Sequence, residues 1–402
     1  MLNQLANIKK LFFLGVAVAS TKLVLILFAY FFNAETYNLF NQVYYTASMV
    51  VLFGSLGFNI AVTRVKINIK LVAAAVLFNV IVSYLFLQIV SQPFTASLEI
   101  ASVLIYALFI SIGGIYAFQL LFAGNYKDYV ILTLLYSLFH LLIIPAVLFL
   151  DVSLFLALPV VSILWFLFSF PKYLKQHEKS ASIVKEFYKV GISAFIINSA
   201  VSLALAADKF FVNHFFPIEI ANSYTFAWGI TAPMFYIGSL VEQFLFSETN
   251  TSKSNILRRG FLLSISFIII YVIAVLLVIN FFPGIIPSSV DYNYVLKIAT
   301  LMVTGYSVYV IFHFPVNAYL FKSLSTEKQK TISLAFTLII SGFVAVYILI
   351  FQKVIAINYI WLLIITWSYI FTLLVTKIII MFREEIGSEP VKTVMDIKNL
   401  EP

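Results

Sequence analysis

The sequence predicts an all-α polytopic membrane protein with about twelve transmembrane helices. Of its 402 residues, 62% are hydrophobic and 10% are charged, whereas an ordinary soluble domain is about 45–50% apolar and about 25% charged. A soluble protein of this size could not cover so much apolar surface, so most of the chain is expected to lie in lipid. This excludes a soluble enzyme and a nucleic-acid-binding module. The absence of cysteine excludes disulfides, thiolate metal sites and a cysteine nucleophile.

Twelve mostly apolar runs reach the length of about 20 residues that a transmembrane helix needs. The strands of a membrane β-barrel would be about 10 residues long with alternating polarity, whereas these runs are continuous. They therefore indicate helices. The predicted spans are 11–32, 41–63, 71–90, 99–123, 129–150, 152–170, 190–212, 223–246, 260–282, 295–321, 331–351 and 359–382.

The distribution of Lys and Arg predicts that both termini are cytoplasmic. With the N-terminus inside, the inside segments carry 20 of the 25 basic residues, in agreement with the positive-inside rule. The outside loops hold only Lys353, and four basic residues lie within predicted spans. The net charge of +8 therefore reflects orientation and need not imply an acidic partner. The inside segments are 1–10, 64–70, 124–128, 171–189, 247–259, 322–330 and 383–402.

The loops predict two lobes and leave no room for a soluble catalytic domain. A basic linker, 171–189, separates an N-terminal lobe of helices 1–6 (1–170) from a C-terminal lobe of helices 7–12 (190–382), and a cytoplasmic tail follows (383–402). The phosphate-binding motif GxxxxGK[ST] and the zinc motif H-E-x-x-H are absent. We therefore expect no ATP hydrolysis, no metal and no other cofactor.

The two predicted lobes repeat each other at an offset of 184 residues. At this offset Glu35 matches Glu219, Asn38 matches Asn222, and the Gly-Ser-Leu of 54–56 matches that of 238–240. Both halves then show a helix, an outer turn with Glu and Asn, and a helix with Gly-Ser-Leu near its middle. Because each lobe has an even number of helices, the repeat is parallel. Transporters with two such lobes bind substrate between them and alternate access by rocking.

The second half also carries a motif that resembles a known family. Residues 206–212 (Ala-Ala-Asp-Lys-Phe-Phe-Val) and 217–224 (Pro-Ile-Glu-Ile-Ala-Asn-Ser-Tyr) resemble the seventh helix and outer turn of bacterial polysaccharide transporters. The first half repeats the turn at 33–40 (Asn-Ala-Glu-Thr-Tyr-Asn-Leu-Phe). Arg64 stands where the family has a basic residue at the end of the second helix. Asn38 and Asn222 replace the glycine that is common there, and Asn tolerates the left-handed turn geometry.

This resemblance implies a flippase in the MATE-like multidrug/oligosaccharidyl-lipid/polysaccharide exporter superfamily. Such a protein moves undecaprenyl-diphosphate-linked oligosaccharide repeat units from the inner to the outer leaflet of the bacterial inner membrane, for O-antigen or a similar polysaccharide. Its implied partners are the lipid-linked oligosaccharide, membrane lipids, a glycan polymerase and a chain-length regulator. Coupling to H⁺, coupling to Na⁺ and passive flipping all stay open.

Four residues are candidates for substrate binding. Lys22 lies at the midpoint of the first span, where a cation costs about 2.5–3.5 kcal/mol on insertion scales. It is expected to meet either the diphosphate of the cargo or a structural ion-pair partner. Arg64 is suggested by the family motif. Asp208 and Lys209 are neighbours whose side chains are expected to point about 100° apart and to pair poorly. One would face a cavity and the other a neighbouring helix, unless both reach headgroups.

Three further residues are candidates for ion coupling. Glu242, in the inner part of the eighth span, would carry a proton or bind Na⁺, or else pair with Lys22 or Arg64. His140 and His313 lie within the fifth and tenth spans, where a lone His is more often a packing residue than a proton relay.

Two other functions compete with the flippase. A MATE-type drug/cation antiporter would share the fold, but the excess of basic charge inside the spans favours an anionic cargo. A membrane glycan polymerase would have similar hydropathy, but it needs a large outer loop with catalytic charges, which this sequence lacks.

Overall fold

The computed structural model describes residues 2–64, 69–122, 125–174, 184–198, 200–247, 253–323, 326–352 and 357–387. Within these ranges the chain is almost entirely helical and contains no β-strand. A short 3₁₀ helix, Pro283–Ile285, joins two of the longer helices. The α-helices are α1 (Leu2–Phe31), α2 (Ala34–Ser55), α3 (Phe58–Arg64), α4 (Ile69–Ser91), α5 (Ser97–Phe122), α6 (Tyr126–Leu141), α7 (Ile143–Phe149), α8 (Leu154–Leu174), α9 (Val184–Asn198), α10 (Ala200–Phe215), α11 (Ile218–Thr231), α12 (Pro233–Ser247), α13 (Lys253–Phe281), α14 (Tyr292–Ser323), α15 (Thr326–Phe351) and α16 (Tyr359–Gly387).

Each of the twelve predicted spans corresponds to one helix or to two consecutive helices. Among the described residues, seven helical segments are long and apolar enough to cross a membrane on their own. The pair α9–α10, bent by 67°, is an eighth when its two helices are counted as one span. Shorter apolar stretches lie in α1 and α8. The protein is therefore an all-α multi-pass membrane protein, as its composition predicts.

The second span is broken where the sequence predicted a continuous helix. Helix α2 ends at Ser55, Leu56 adopts left-handed geometry with φ 39°, and Gly57 follows with φ 68°. Gly-Ser-Leu 54–56 thus lies at a helix end, whereas 238–240 lies inside α12. The prediction that both tripeptides lie near the middle of a helix is wrong for the first half. Gly57 permits the break because it has no Cβ to oppose a positive φ.

The eighth span and the last helix also differ from the sequence prediction. The eighth span breaks between α11 and α12 at Ala232, just before Pro233, because proline lacks the N–H that would continue the helical hydrogen bonds. Helix α16 continues to Gly387, so the last helix extends into the segment predicted as tail. Residues 388–402 and 175–183 of the linker lie outside the described residues.

Helix boundaries recur at the same spacing as the sequence repeat. Helices α1 and α10 end at Phe31 and Phe215, and α2 and α11 begin at Ala34 and Ile218. Helices α4 and α13 begin at residues 69 and 253. All three pairs are 184 residues apart. The turns and helix starts therefore follow the repeat, and the later helices depart from it because their connections differ in length.

Helices α1 and α2 lie where the first half of the chain meets the second. Helix α1 packs against α6 of its own half and against α11 and α12. Helix α2 packs against α4 and α5 on one side and against α10 and α11 on the other. Helix α3 packs against α9. Polar side chains on α2, α10 and α11 are therefore brought together between the two halves.

Candidate functional site

Asp208 and Lys209 form an ion pair that is sealed inside the protein. Lys209 Nζ lies 2.7 Å from Asp208 Oδ1, and the two side chains are 1% and 0% exposed. The expectation that these neighbours pair poorly is wrong. The long lysine side chain folds back along α10, so that Nζ also donates to the carbonyl oxygen of Leu205, one turn earlier. Burial favours this conformation of the lysine side chain, because an unpaired charge there would be costly.

Two residues of α11 contact this pair. The Tyr224 hydroxyl donates to Asp208 Oδ2 at 2.8 Å. Lys209 Nζ lies 3.8 Å from the centroid of the Trp228 ring, which is a cation–π contact. Both charges are thus satisfied from within the second half of the chain, and the pair fixes α10 against α11.

A polar contact between the halves lies one turn further along α10. The Gln42 side-chain amide of α2 donates to the carbonyl oxygen of Asn213 at 2.8 Å. Thr46 Oγ1 lies 2.8 Å from His214 Nε2 and donates its single proton to the carbonyl oxygen of Gln42 at 2.7 Å. His214 Nε2 is therefore the donor to Thr46. Asn213 Nδ2 in turn donates to Thr225 Oγ1 of α11 at 2.9 Å.

A second cluster joins α12, α14 and α16 through Asn317. The Asn317 Nδ2 atom donates to Glu242 Oε1 at 2.7 Å, and Lys377 Nζ donates to Asn317 Oδ1 at 2.8 Å. Lys377 is buried, and its ammonium also lies 5.7 Å from the centroid of the Phe336 ring. Glu242, which is partly buried, is thus linked through an amide to a lysine that sequence reasoning did not connect with it.

The two histidine candidates occupy different surroundings. His313 lies beside this cluster, one turn before Asn317, with Nδ1 2.6 Å from the Tyr309 hydroxyl. His140 lies in the first half, where Nδ1 donates to the carbonyl oxygen of Tyr136 at 2.7 Å and Nε2 is 2.8 Å from the Tyr106 hydroxyl. Both ring nitrogens of His140 have partners, which is the geometry of a packing histidine.

The other two substrate-binding candidates are described only by their backbone. Lys22 lies within α1 and Arg64 is the last residue of α3. Their side chains lie outside the described part of the structure.

Hydrogen bonds between the two halves form an outer seam, defined by Ala29, Tyr30, Ala34, Asn222 and Ser289. Asn222 Nδ2 donates to the carbonyl oxygens of Ala34 at 2.8 Å and of Ser289 at 3.1 Å. Ser289 Oγ donates to the carbonyl oxygen of Ala29 at 2.5 Å. The Tyr30 hydroxyl donates to a carbonyl of the same turn as Ser289, that of Ile285. The seam lies at the end of the protein that the sequence predicts to be outside.

At the predicted inner side, the halves meet at an inner joint, defined by Gly57, Phe58, Phe187 and Gly191. An ideal Cβ on Gly57 would lie 2.2 Å from the carbonyl oxygen of Gly191. One on Gly191 would lie 2.8 Å from the Phe58 ring. The rings of Phe58 and Phe187 are 4.6 Å apart between centroids. The two backbones therefore approach at a distance that only glycine permits.

This arrangement of helices is similar to that of a solved membrane transporter. The matched structure is described as the inward-facing conformation of a multidrug resistance MATE family transporter of the MOP superfamily. The TM-score is 0.50 with 12% sequence identity, over 92% of this chain and 96% of that chain. The fold is MATE-like. No family model and no curated protein sequence matches the chain.

Sequence reasoning identified Asp208, Lys209 and Glu242 but not the residues that bond to them in the MATE-like fold. Tyr224 was noted only as part of the outer-turn motif, and Trp228, Gln42 and Lys377 were given no role. A useful signal was present, because Lys377 lies well inside the last span, where a lysine requires a partner. Which helix supplies that partner depends on how the helices pack, and the pattern of one span does not contain that information.

Proposed function

We propose that the protein is a flippase for undecaprenyl-diphosphate-linked oligosaccharide repeat units. It would move them from the inner to the outer leaflet of the bacterial inner membrane, for O-antigen or a related polysaccharide. Transport would proceed by alternating access between two six-helix lobes, 1–170 and 190–382. The MATE-like fold supports a transporter of this type, and the motif around Asp208 and Lys209 supports the cargo.

The observation that carries the choice of an anionic cargo is the lysine near each acidic residue of the spans. Apart from Glu99 at the first residue of its span, the described acidic residues within the predicted spans are Asp208 and Glu242. Asp208 bonds to Lys209 directly, and Glu242 is linked to Lys377 through Asn317. A carboxylate with an ammonium so near attracts a cationic drug less than an isolated carboxylate would. Lys22 adds a further positive charge at the midpoint of α1, where a diphosphate is a suitable partner.

The outer seam supports alternating access as the mechanism. A transporter of this kind must close its outer side while cargo enters from the inner leaflet, and the seam bonds the two halves at the predicted outer side. The acceptors in these hydrogen bonds are backbone carbonyl oxygens, so water can bond to them instead when the halves separate.

Reconstituted vesicles test this function directly. The full chain is placed in liposomes with a fluorescent prenyl-diphosphate-linked glycan, and a membrane-impermeant glycosidase reports how much glycan reaches the outer leaflet. We expect transfer that needs no ATP and that responds to an imposed H⁺ or Na⁺ gradient. Lys22→Ala should abolish transfer at normal protein level, and Lys22→Arg should keep part of it. Unaltered transfer with Lys22→Ala would remove Lys22 from the binding site.

A second candidate is a drug/cation antiporter, because the matched structure is of a multidrug resistance transporter. The same vesicles distinguish the two functions. Efflux of a cationic dye such as ethidium, without transfer of the lipid-linked glycan, would favour the antiporter and contradict the flippase.

A further inference from the structure

The cluster of Glu242, Asn317 and Lys377 has a geometry that a static ion pair would not need. The carboxylate and the ammonium do not bond to each other but to opposite ends of one amide, at 2.7 Å and 2.8 Å. Reversing the amide would place its N–H groups against the ammonium and its oxygen against the carboxylate, so the two charges fix its orientation. The three residues come from α12, α14 and α16, and the amide is the link between these helices.

All three residues lie at the same level of the membrane. Each is four or five residues from the inner end of its predicted span, which is about 6–8 Å at 1.5 Å per residue. Glu242 and Asn317 are partly exposed, whereas Lys377 is buried. Glu242 is therefore the titratable member of the cluster that is partly exposed, near the predicted inner surface. We infer that Glu242 is the proton-binding group of the transport cycle, positioned by Asn317 and Lys377, an inference that rests on the proposed transport function.

The chemistry of the cluster favours a proton over Na⁺. Hard cations are held by several oxygen ligands. Here the nearest partner of the carboxylate is an N–H donor, and the amide oxygen is turned away toward Lys377. A proton needs neither additional oxygens nor the displacement of Lys377.

Protonation changes what the amide can bond to. Water at the inner side supplies the proton, which binds a carboxylate oxygen and converts Glu242 from an anion to a neutral acid. The cluster then passes from zero net charge to +1. The carboxyl of Glu242 becomes a weaker acceptor for the Asn317 N–H, while Lys377 still donates to the amide oxygen. The tie between α12 and α14 is thereby loosened, and α12 begins immediately after the break at Ala232.

Other titratable groups around the cluster are consistent with this role. Apart from each other, the described electrostatic neighbours of Glu242 and Lys377 are Asn317, Tyr309 and His313. On the helices packed against α12, the titratable groups toward this side are Tyr309, His313 and Tyr319 of α14 and Arg258 and Arg259 at the start of α13. Lys22 of α1 lies at the midpoint of its span, and its side chain lies outside the described residues.

A single cysteine at the outer seam provides a readout that does not require the cargo. The natural chain has no cysteine, and Ala221 is fully buried beside Asn222. In the Ala221→Cys protein in liposomes, labelling by a membrane-impermeant maleimide reports how often the seam opens. Rates are measured from about pH 5 to about pH 9, corrected for the pH dependence of the maleimide reaction with a free thiol. Glu99→Gln is the matched control, because it removes a partly exposed carboxylate at the opposite end of the protein.

We expect the corrected rate to change at least about threefold across this range. Glu242→Gln should hold the rate at the low-pH value of the parent at every pH, and Glu99→Gln should behave as the parent. Replacing KCl by NaCl should change nothing. If Glu242→Gln does not fold because Lys377 is left without a counter-charge, the neutral pair Glu242→Gln with Lys377→Met should fold and be insensitive to pH.

Three outcomes would overturn the inference: a pH response that survives in the Glu242 variants, no pH response in the parent, or a Na⁺ response that Glu242→Gln abolishes. Failure of the flippase proposal is a separate result. Vesicles that transfer no lipid-linked glycan while the seam still responds to pH through Glu242 would contradict the cargo and keep the proton site. Gradient-driven transfer that Glu242→Gln leaves unchanged would contradict the proton site and keep the cargo.

Discussion

The outer seam and the inner joint connect the same two halves of the chain by different physical means. The seam consists of side chains such as Asn222 and Ser289 that donate to backbone carbonyls of α1 and α2. The joint consists of two glycine backbones in direct contact, flanked by the rings of Phe58 and Phe187. A hydrogen bond to a carbonyl can be exchanged for water at a net cost of about 0.5–1.5 kcal/mol, whereas packed backbones and rings gain nothing comparable from water.

This difference predicts which connection opens. The seam can separate in small steps, since each bond that breaks is replaced by a bond to water. The joint can rotate about the contact of Gly57 with Gly191, but separation would expose aromatic surface. The inner joint is therefore suited to act as a pivot and the outer seam as a gate, and the following substitutions test that division.

The largest effect is expected for Gly57→Ala at the joint. The added Cβ would lie 2.2 Å from the Gly191 carbonyl oxygen, on a residue with φ 68°. Strained backbone and overpacking together should cost about 3 kcal/mol or more. Thermal unfolding of the detergent-purified protein, followed by size-exclusion chromatography, measures the loss.

Gly114→Ala is the matched control for this substitution. A Cβ at Gly114 meets nothing within 4 Å, and alanine is favoured over glycine inside a helix by roughly 0.5–1 kcal/mol. The control should therefore unfold at the same or a slightly higher temperature. Equal stability of the Gly57 and Gly114 variants would show that the joint is not tightly packed.

The joint also shows where sequence reasoning reaches its limit. Apolar runs predicted a helix or a pair of helices at each of the twelve positions, because the need for about 20 apolar residues in lipid is a local requirement. The break at Ala232 is local as well, because it follows from the missing N–H of Pro233. The contact of Gly57 with Gly191 joins residues in different halves, and nothing in either span predicts which glycine meets the other.

The charged residues show the same limit. Lys209 was expected to diverge from Asp208 and to pair with it poorly, whereas the two side chains form an ion pair. The periodicity of a helix fixes the direction of each Cβ and not the path of the three further methylene groups of a lysine. Likewise, the sequence singled out Glu242, whereas its bond to Asn317 depends on the packing of α12 against α14.

A smaller effect is expected for Asn222→Ala at the seam. The substitution removes the amide that bonds the carbonyl oxygens of Ala34 and Ser289 and leaves both carbonyls without this donor. In the closed state this costs about 1–3 kcal/mol, and in the open state water bonds both carbonyls. The labelling rate of Ala221→Cys should rise about fivefold or more, with a far smaller loss of thermal stability than Gly57→Ala causes. A large loss of stability without faster labelling would mean that Asn222 serves the fold and not the gate.

The smallest effect is expected for Tyr30→Phe. Tyr30 is 43% exposed, so water already competes for the bond from its hydroxyl to the carbonyl oxygen of Ile285. The substitution keeps the ring, which lies 6.2 Å from that of Phe226 between centroids, and removes only the hydroxyl. The expected cost is at most about 0.5 kcal/mol, which corresponds to roughly a twofold increase in labelling of Ala221→Cys. If Tyr30→Phe opened the seam as much as Asn222→Ala, the exposed edge and the buried centre of the seam would contribute equally. The buried amide of Asn222 would then not be the main contact that keeps the seam closed.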